Sequence, residues 1–160
     1  LRARLARPGL GAVALVALCA GTPAMLVLGT VATVLHGATP IFHSAGEVSV
    51  AEWLTRNGAT GEVVLCEQAS GSFLPAWSPV RVYLGHGSET VNVAAKQGDV
   101  ERFYGSTDDG WHEELLRRNG VGFVLHGPGE RALGPYDPRT AEYLTSAFSS
   151  EGWELYEVVW

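Results

Sequence analysis

The chain has 160 residues and a formal charge of −6 at pH 7, but the charge is unevenly distributed. Residues 1–40 carry three arginines and no acid, so the remaining residues hold 8 basic and 17 acidic side chains, a formal charge of −9. This acidic balance excludes nucleic acid as the expected partner. Because there are only two cysteines, Cys19 and Cys66, a disulfide framework is excluded as well.

The N-terminal segment has the pattern of a membrane-spanning helix. No Asp, Glu, Lys or Arg occurs between Pro8 and Gly46, and Leu10–Leu35 is almost entirely apolar over 26 residues. A hydrocarbon core of about 30 Å requires about 20 helical residues. Arg2, Arg4 and Arg7 precede this segment and predict a cytoplasmic N-terminus, which leaves everything after Pro40 extracytoplasmic in the cell membrane. We therefore expect a membrane span with its basic flank over 1–38, a linker over 39–47 and an outer domain over 48–160.

Two alternatives apply to the same segment. The basic run "RARLAR" followed by apolar residues also suits a cleaved signal peptide, although signal peptides have apolar cores of about 7 to 15 residues. A buried helix of a soluble protein is the second alternative and requires packing on every face. Because the first residue is Leu rather than Met, we expect an upstream part of a longer protein.

The outer domain alternates predicted helices and strands. Ser49 and Glu52 form a predicted capping box, with Val48 and Trp53 as its hydrophobic staple, so a helix is expected from Val50 to the Asn57–Gly58 stop. The further predicted elements are a strand over Glu62–Gln68, a strand over Val80–Leu84, helices over Val91–Tyr104 and Asp109–Arg118, a strand over Val121–Gly127, a helix from Asp137–Pro138 through Phe148, and a final strand "WELYEVVW".

This order predicts the fold class. Strands that alternate with helices favour right-handed crossovers, so we expect an α/β fold in which one transmembrane helix precedes a small, mostly parallel sheet with helices on both faces. The direction of the last strand is left open, and an antiparallel orientation is allowed. Cys66 lies inside an apolar strand, where packing is a better interpretation than nucleophilic chemistry.

Candidate site residues lie in the loops that follow the strands, because ligands bind beyond the carboxyl ends of parallel strands. The first such loop runs from Gln68 to Pro75, and "GPGERALGPYDP", from Gly127, is a long loop with three prolines. The candidate ligand-binding residues are His86, Ser88, Glu89 and Thr90 after the second strand, and His126, Glu130 and Arg131 after the third. The structural alternative is that these residues form turns and cap the next helices.

Metal and cofactor chemistry are not supported by the spacing. His86, His112 and His126 with Glu89 contain no pair at the i, i+4 spacing of a helical ligand couple, so no metal site is expected. "GHGSET" lacks the lysine of a phosphate-binding P-loop and carries an acid that repels anions. No G-x-S-x-G nucleophile motif is present, so hydrolase chemistry has no local support. No catalytic residue and no cofactor are predicted.

The order of segments resembles the C-terminal end of polytopic bacterial glycosyltransferases that use polyprenyl-phosphate sugars, the class that includes relatives of the dolichyl-phosphate-mannose mannosyltransferases. The matching segments are an apolar helix, then "AEWLTRNGATGEVVLCEQASGSFLPAWSPVRVYLGHGSET", "VERFYG", "LLRRNGVGFVLHGPGER" and a terminal "WELYEVV". The resemblance implies an extracytoplasmic α/β domain attached to a membrane enzyme whose catalytic carboxylate lies in an earlier outer loop, outside this chain. It also implies the lipid bilayer, upstream membrane helices of the same enzyme, and a lipid-linked sugar or glycan acceptor as partners.

Other functions compete with this one. The first alternative is a single-span anchored module whose outer domain binds a carbohydrate or a partner through Trp77, Tyr83 and the strand-end loops. The second is a secreted enzyme that depends on His86 and Glu89. The sequence does not distinguish acceptor docking from structural support for the outer domain.

Overall fold

The structure is a computed structural model that describes residues 8–36, 42–57 and 59–160. It divides into two compact units, Leu1–Phe42 and His43–Trp160. Arg2, Arg4 and Arg7 of the predicted basic flank, residues 39–41 of the predicted linker and Gly58 of the predicted helix stop lie outside the described residues.

The first unit contains one long helix. α1 runs from Pro8 to His36, 29 residues with Pro23 inside it, so the segment predicted to be helical is helical. Thr30 and Thr33 donate their hydroxyls to the carbonyls of Leu26 and Gly29 one turn earlier, at 2.8 and 2.9 Å. Across the residues that the structure describes, no helix combines the length and the apolar character needed to cross a membrane.

The second unit is built on a five-stranded mixed sheet with the order β2-β1-β3-β5-β4. Its strands are β1 (Val63–Leu65), β2 (Arg81–Val82), β3 (Val121–His126), β4 (Leu144–Ser150) and β5 (Trp153–Val158). β1 pairs in parallel with β2 and β3, whereas β5 pairs antiparallel with β3 and β4. The α/β class is therefore confirmed, but the expectation of a mostly parallel sheet is wrong: the sheet is mixed, because an antiparallel hairpin closes the chain.

Helices cover the two faces of this sheet. They are α2 (Ala45–Arg56), α3 (Gln68–Trp77), α4 (Val93–Gly105), α5 (Asp109–Arg118) and the short α6 (Pro128–Leu133), followed by a 3₁₀ turn at Pro138–Thr140. One core joins α2 and α3 to the sheet through residues such as Leu54, Leu74 and Leu155. The other joins α4 and α5 to the opposite face through residues such as Phe103, Leu116 and Val124.

A bulge at Gly122 sets which β3 side chains face each core. Val63 pairs with Val121 and Val64 with Phe123, so Gly122 is an extra residue in β3. Because a bulge interrupts the strict alternation of a strand, Val121 and Val124 join one core while Phe123 and Leu125 join the other.

The first helix of the second unit begins earlier than predicted. Ser44 caps α2 by accepting the backbone N–H of Glu47 at 3.2 Å, so the expected start at Val50 with a Ser49 cap is wrong. Both serines satisfy the capping pattern, but Ser44 also places Gly46 in close contact with Trp153. Residues 45–47 of the predicted linker therefore belong to α2, and Asn57 ends it as expected.

Two predicted loops contain helices. α3 occupies Gln68–Trp77 because the Glu67 carboxylate caps it, accepting the backbone N–H groups of Ala69 and Ser70 at 2.9 and 3.0 Å. α6 occupies Pro128–Leu133 within the predicted "GPGERALGPYDP" loop, with Pro128 in its first turn. Glycine, serine and proline in both stretches favour loops locally, but tertiary packing outweighs that preference.

The predicted helix from Asp137 through Phe148 is wrong. Asp137 does act as a cap, accepting the backbone N–H of Arg139 at 3.1 Å, but the helical turn ends at Thr140. Leu144–Ser150 instead forms β4, which pairs along its length with β5. The open direction of the last strand is settled as antiparallel to both neighbours.

Candidate functional site

A cleft of about 290 Å³ lies at the carboxyl end of β2, between α3 and the start of α4. Its polar lining comes from Tyr83, His86, Glu89, Thr90 and Lys96. Its apolar lining includes Pro75, Val82 and Val91. The cleft therefore lies at the edge of the sheet where parallel strands place their ligands, as the sequence predicts.

The cleft depends on a close approach between α3 and the chain that leaves β2. A Cβ atom added to Gly71 would overlap the carbonyl oxygen of Leu84, and one added to Gly85 would lie 3.0 Å from the carbonyl oxygen of Gly71. At Gly71 only hydrogen allows the helix and the strand end to touch, whereas a side chain at Gly85 would require its neighbours to shift by a few tenths of an ångström. Gly71 is thus a structural requirement of the cleft, and it lies in a stretch that the sequence assigned to a loop.

The chain from His86 to Thr90 forms a tight turn that uses its own backbone donors. The N–H groups of Glu89 and Thr90 donate to the carbonyl of His86 at 3.1 and 2.9 Å, and the Thr90 hydroxyl donates to the same oxygen at 2.8 Å. These N–H groups are therefore unavailable to an anion. Ser88 is exposed on the turn and lies outside the cleft, so only three of the four residues predicted here line it.

The predicted capping role of Ser88 or Thr90 is also wrong. α4 begins at Val93 after Asn92, whose φ of 57° places it in the left-handed region. The Asn92 side chain makes no capping hydrogen bond within the described part of the chain. The side chains of His86 and Glu89 remain exposed on the cleft, where they are accessible to a ligand.

Tyr83 and Lys96 line the cleft, and Asp99 is the hydrogen-bond partner of Tyr83. The Tyr83 hydroxyl donates to the Asp99 carboxylate at 2.5 Å, and the Lys96 ammonium lies 4.9 Å from the centre of the Tyr83 ring. Burial raises the pKa of Tyr83 well above its ordinary value, and the hydrogen bond to Asp99 raises it further. Tyr83 is therefore a neutral hydrogen-bond donor and an aromatic surface for the lysine cation.

The second predicted group has a structural role. Glu130 is fully buried, and its carboxylate accepts the N–H groups of Glu67 and Gly127 at 3.0 and 2.9 Å. Burial raises its pKa to about 7, although these hydrogen bonds oppose the shift. Arg131 donates to the carbonyls of His126 and Gly152. These residues tie α6 to β1 and to the hairpin, and they lie outside the cleft.

His126 and His112 are also engaged within the fold. His126 Nδ1 lies 3.3 Å from the Glu154 carboxylate. His112 is fully buried, with Nε2 3.1 Å from the Ser106 hydroxyl and Nδ1 3.2 Å from the Tyr143 hydroxyl. Among the described residues, no cluster of three or more His, Cys, Asp and Glu side chains is arranged to hold a metal ion.

A second groove, of about 410 Å³, runs along α5 but offers less chemistry. Its Arg117 is engaged by neighbouring side chains: it lies 3.7 Å from Glu113, and its guanidinium lies 4.4 Å from the centre of the Trp160 ring. Such exposed pairs are typical of a solvated helix face. The smaller cleft at β2 is the better candidate site because it combines burial, an aromatic ring and accessible polar groups.

Sequence reasoning missed Lys96 and Asp99 as site residues. Lys96 is the single lysine of the chain, a signal that was present in the sequence. The pairing of Tyr83 with Asp99 spans 16 residues and depends on how α4 packs, so it had no local signal.

Comparison with protein-family models, with curated proteins and with solved structures finds no match for this chain. The resemblance to membrane glycosyltransferases therefore stays a prediction.

Proposed function

We propose that the chain is the C-terminal part of a membrane glycosyltransferase that uses lipid-linked sugar donors, and that its α/β unit is an extracytoplasmic, non-catalytic domain for acceptor docking. The observation that carries this proposal is the combination, in one chain, of a 29-residue helix without a charged residue and a separate compact α/β unit with an open cleft. The order of these segments matches the order implied by the resemblance.

The membrane position of Leu10–Leu35 is part of the proposal and rests first on the sequence, which holds no charge over these 26 residues. The surface of α1 gives further support. Large apolar side chains between Met25 and Leu35 are 48% to 77% exposed within the structure: Met25, Leu26, Val27, Leu28, Val31, Val34 and Leu35. A continuous apolar surface of this kind suits lipid tails or neighbouring membrane helices.

The non-catalytic role of the α/β unit is supported by how its acid and base groups are used. Glu130 and His112 are fully buried and hydrogen-bonded to the fold, and His126 faces Glu154. The exposed polar groups of the cleft are suited to binding a ligand. We accordingly assign the chemistry to an earlier outer loop of the complete enzyme and acceptor docking to the cleft.

Cysteine labelling tests the topology. In a background with Cys19→Ala and Cys66→Ala, the exposed Ser88 is replaced by cysteine and intact cells are treated with a membrane-impermeant maleimide. We expect Ser88→Cys to be labelled in intact cells and the matched Ala3→Cys variant to be labelled only after lysis. The full-length chain should also remain in the membrane pellet after alkaline carbonate washing. Labelling of Ala3→Cys but not Ser88→Cys in intact cells, or release of the unprocessed chain, contradicts the proposal.

A single-span binding module is the second candidate, and the exposure of Trp77 favours it. This side chain is 62% exposed at the end of α3 and lies 5.7 Å from Phe73 between ring centres. Exposed aromatic rings of this kind stack on sugars and other partners. The genomic reading frame decides between the two: eight or more further apolar spans upstream, with an acid in the first outer loop, support the transferase, whereas a stop codon directly before Leu1 supports the module.

A further inference from the structure

We infer that the cleft at β2 binds a sugar unit that carries a carboxylate, with Lys96 contacting the carboxylate and with Glu89 and His86 contacting hydroxyl groups. This inference rests on the proposed docking role of the cleft and adds the chemical class of the ligand.

Lys96 is a cation that has no counter-ion among the described residues. It is half-buried in the cleft, and its ammonium lies over the Tyr83 ring at 4.9 Å from the centroid. Among the described residues, no carboxylate oxygen lies within 4.0 Å of its Nζ, although the unit is strongly acidic. An aromatic face stabilises an ammonium but leaves its hydrogen-bond donors available.

Tyr83 explains why the neighbouring acid does not pair with Lys96. Asp99 lies one helical turn after Lys96 on α4, at a spacing that often produces an ion pair. Its carboxylate instead accepts the Tyr83 hydroxyl at 2.5 Å. The lysine donors therefore remain available, and a ligand carboxylate would supply a charge-assisted partner.

The other polar groups of the cleft suit hydroxyls. Glu89 is an acceptor when ionised, and His86 both donates and accepts, so together they match sugar hydroxyls, which also do both. Pro75, Val82 and Val91 offer an apolar surface for the C–H face of a ring. A bare phosphate ion would contact Lys96 but has no hydroxyl-rich body to contact the rest of the lining.

The volume limits the ligand to a small unit. About 290 Å³ is near the lower end of the roughly 300 to 1,000 Å³ typical of small-molecule sites. A single uronate residue, either free or at the end of a glycan, is therefore the expected occupant. A long lipid chain or an extended oligosaccharide would have to lie mostly outside the cleft.

Calorimetric titration of the full chain in nanodiscs tests whether the cleft binds a sugar that carries a carboxylate. The probes are sodium glucuronate, glucose and inorganic phosphate at matched ionic strength. We expect glucuronate to bind at least tenfold more tightly than glucose or phosphate. Equal binding of glucose and glucuronate, tighter binding of phosphate, or the absence of heat with glucuronate up to 50 mM overturns the inference. Comparing the affinity of a glycan that ends in a uronate with that of free glucuronate then shows whether the cleft prefers the uronate free or at the end of a glycan.

Variants locate the binding. Lys96→Gln should weaken glucuronate binding at least tenfold, whereas Lys96→Arg should retain most of it because the positive charge remains. Arg56→Gln is the matched control, since it removes one exposed positive charge from α2, outside the cleft. Thermal unfolding of each variant verifies that it is folded. An equal loss in Arg56→Gln, or full binding in Lys96→Gln, overturns the assignment of Lys96.

The single lysine allows an independent readout. An amine-specific acylating reagent modifies Lys96 and the N-terminal amine, and peptide mass mapping separates the two. Glucuronate should slow acylation of Lys96 at least fivefold relative to the N-terminal amine, and equal slowing at both amines overturns the inference. If these binding tests fail while the chain stays in the membrane, only the inference of uronate binding is refuted. If carbonate releases the chain while glucuronate binding is intact, only the proposed glycosyltransferase function is refuted.

Discussion

The Glu130 carboxylate accepts the backbone N–H of Glu67 at 3.0 Å, which joins the start of α6 to the end of β1. Its second oxygen accepts the N–H of Gly127 at 2.9 Å, at the end of β3. One fully buried side chain therefore satisfies two backbone donors at the edge of the sheet. This arrangement makes Glu130 a structural residue, although the sequence suggested a ligand-binding role.

Glu130→Gln should change how stability depends on pH. Burial raises the folded pKa of Glu130 to about 7 from an ordinary value of 4.5, so its stabilising contribution is complete below pH 4.5 and is lost as the pH rises through 7. The wild-type free energy of unfolding should fall by up to about 3 kcal/mol more than that of the variant between pH 4 and pH 9. Urea unfolding at both pH values measures this difference.

At low pH the same variant should be less stable than the wild type by about 1 to 3 kcal/mol, because an amide cannot accept both N–H groups. Glu114→Gln is the matched control, since Glu114 is exposed on α5. Parallel pH profiles for the wild type and Glu130→Gln would contradict the assignment.

The parts of the fold that the sequence predicts are those with local signals. α5 has the predicted bounds, Asp109–Arg118, because Asp108 caps it through the N–H of Trp111 and Asn119 ends it. β1 and β3 were recognisable as short apolar runs, and β1 is buried at all three positions. The α/β class could be predicted because these strands and this helix were recognisable from local sequence.

The error at 137–148 arose from a periodicity that fits two structures. Tyr143, Leu144, Ala147 and Phe148 recur three and four residues apart, which is typical of a helix. In the fold, β5 pairs with β3 along one edge, and its other edge pairs with Leu144–Ser150. This strand pairing outweighs the local helical pattern. The missing information was the partner strand, which local spacing does not encode.

The candidate site was predictable in position but not in composition. The rule that ligands bind beyond parallel strands led to His86, Glu89 and Thr90, which line the cleft. Lys96 and Asp99 come from a helix that follows, and their roles depend on contact with Tyr83. The same rule selected His126, Glu130 and Arg131, which hold the fold together.

His112 should respond to pH in the opposite direction from Glu130. Burial lowers its folded pKa below the ordinary value of 6.5, so its stabilising contribution is present above pH 6.5 and is lost as the pH falls through the folded pKa. An NMR titration, with the ring signals assigned by comparison with His112→Gln, should show a midpoint below 6.5. A midpoint above 6.5 would mean that the imidazole is not held neutral between Ser106 and Tyr143.

Gly71→Ala should destabilise the α/β unit and disrupt the cleft. The new methyl group would overlap the Leu84 carbonyl oxygen, and neither helix nor strand end can move away without losing core contacts. We expect a loss of about 2 to 4 kcal/mol in the free energy of unfolding, measured by urea titration. Gly98→Ala is the matched control: no described atom lies within 4 Å of its added Cβ, and an exposed helical position should gain up to about 1 kcal/mol. Equal effects of the two substitutions would contradict the close approach of α3 to β2.

The turn between β4 and β5 should respond to substitutions that suit or oppose positive φ. Glu151 and Gly152 have φ values of 47° and 79°, as the two central residues of a type I′ hairpin turn require. Glu151→Asn should therefore stabilise the unit by about 0.5 to 1 kcal/mol, because asparagine tolerates the left-handed region better than glutamate. Gly152→Ala should destabilise it by about 1 to 2 kcal/mol. Only conformational strain accounts for such a loss, since the nearest described atom to an added Cβ is Arg131 Nη2 at 3.6 Å, an ordinary contact distance. Chemical unfolding measures both changes, and a stabilising Gly152→Ala would mean that the hairpin turn has another geometry.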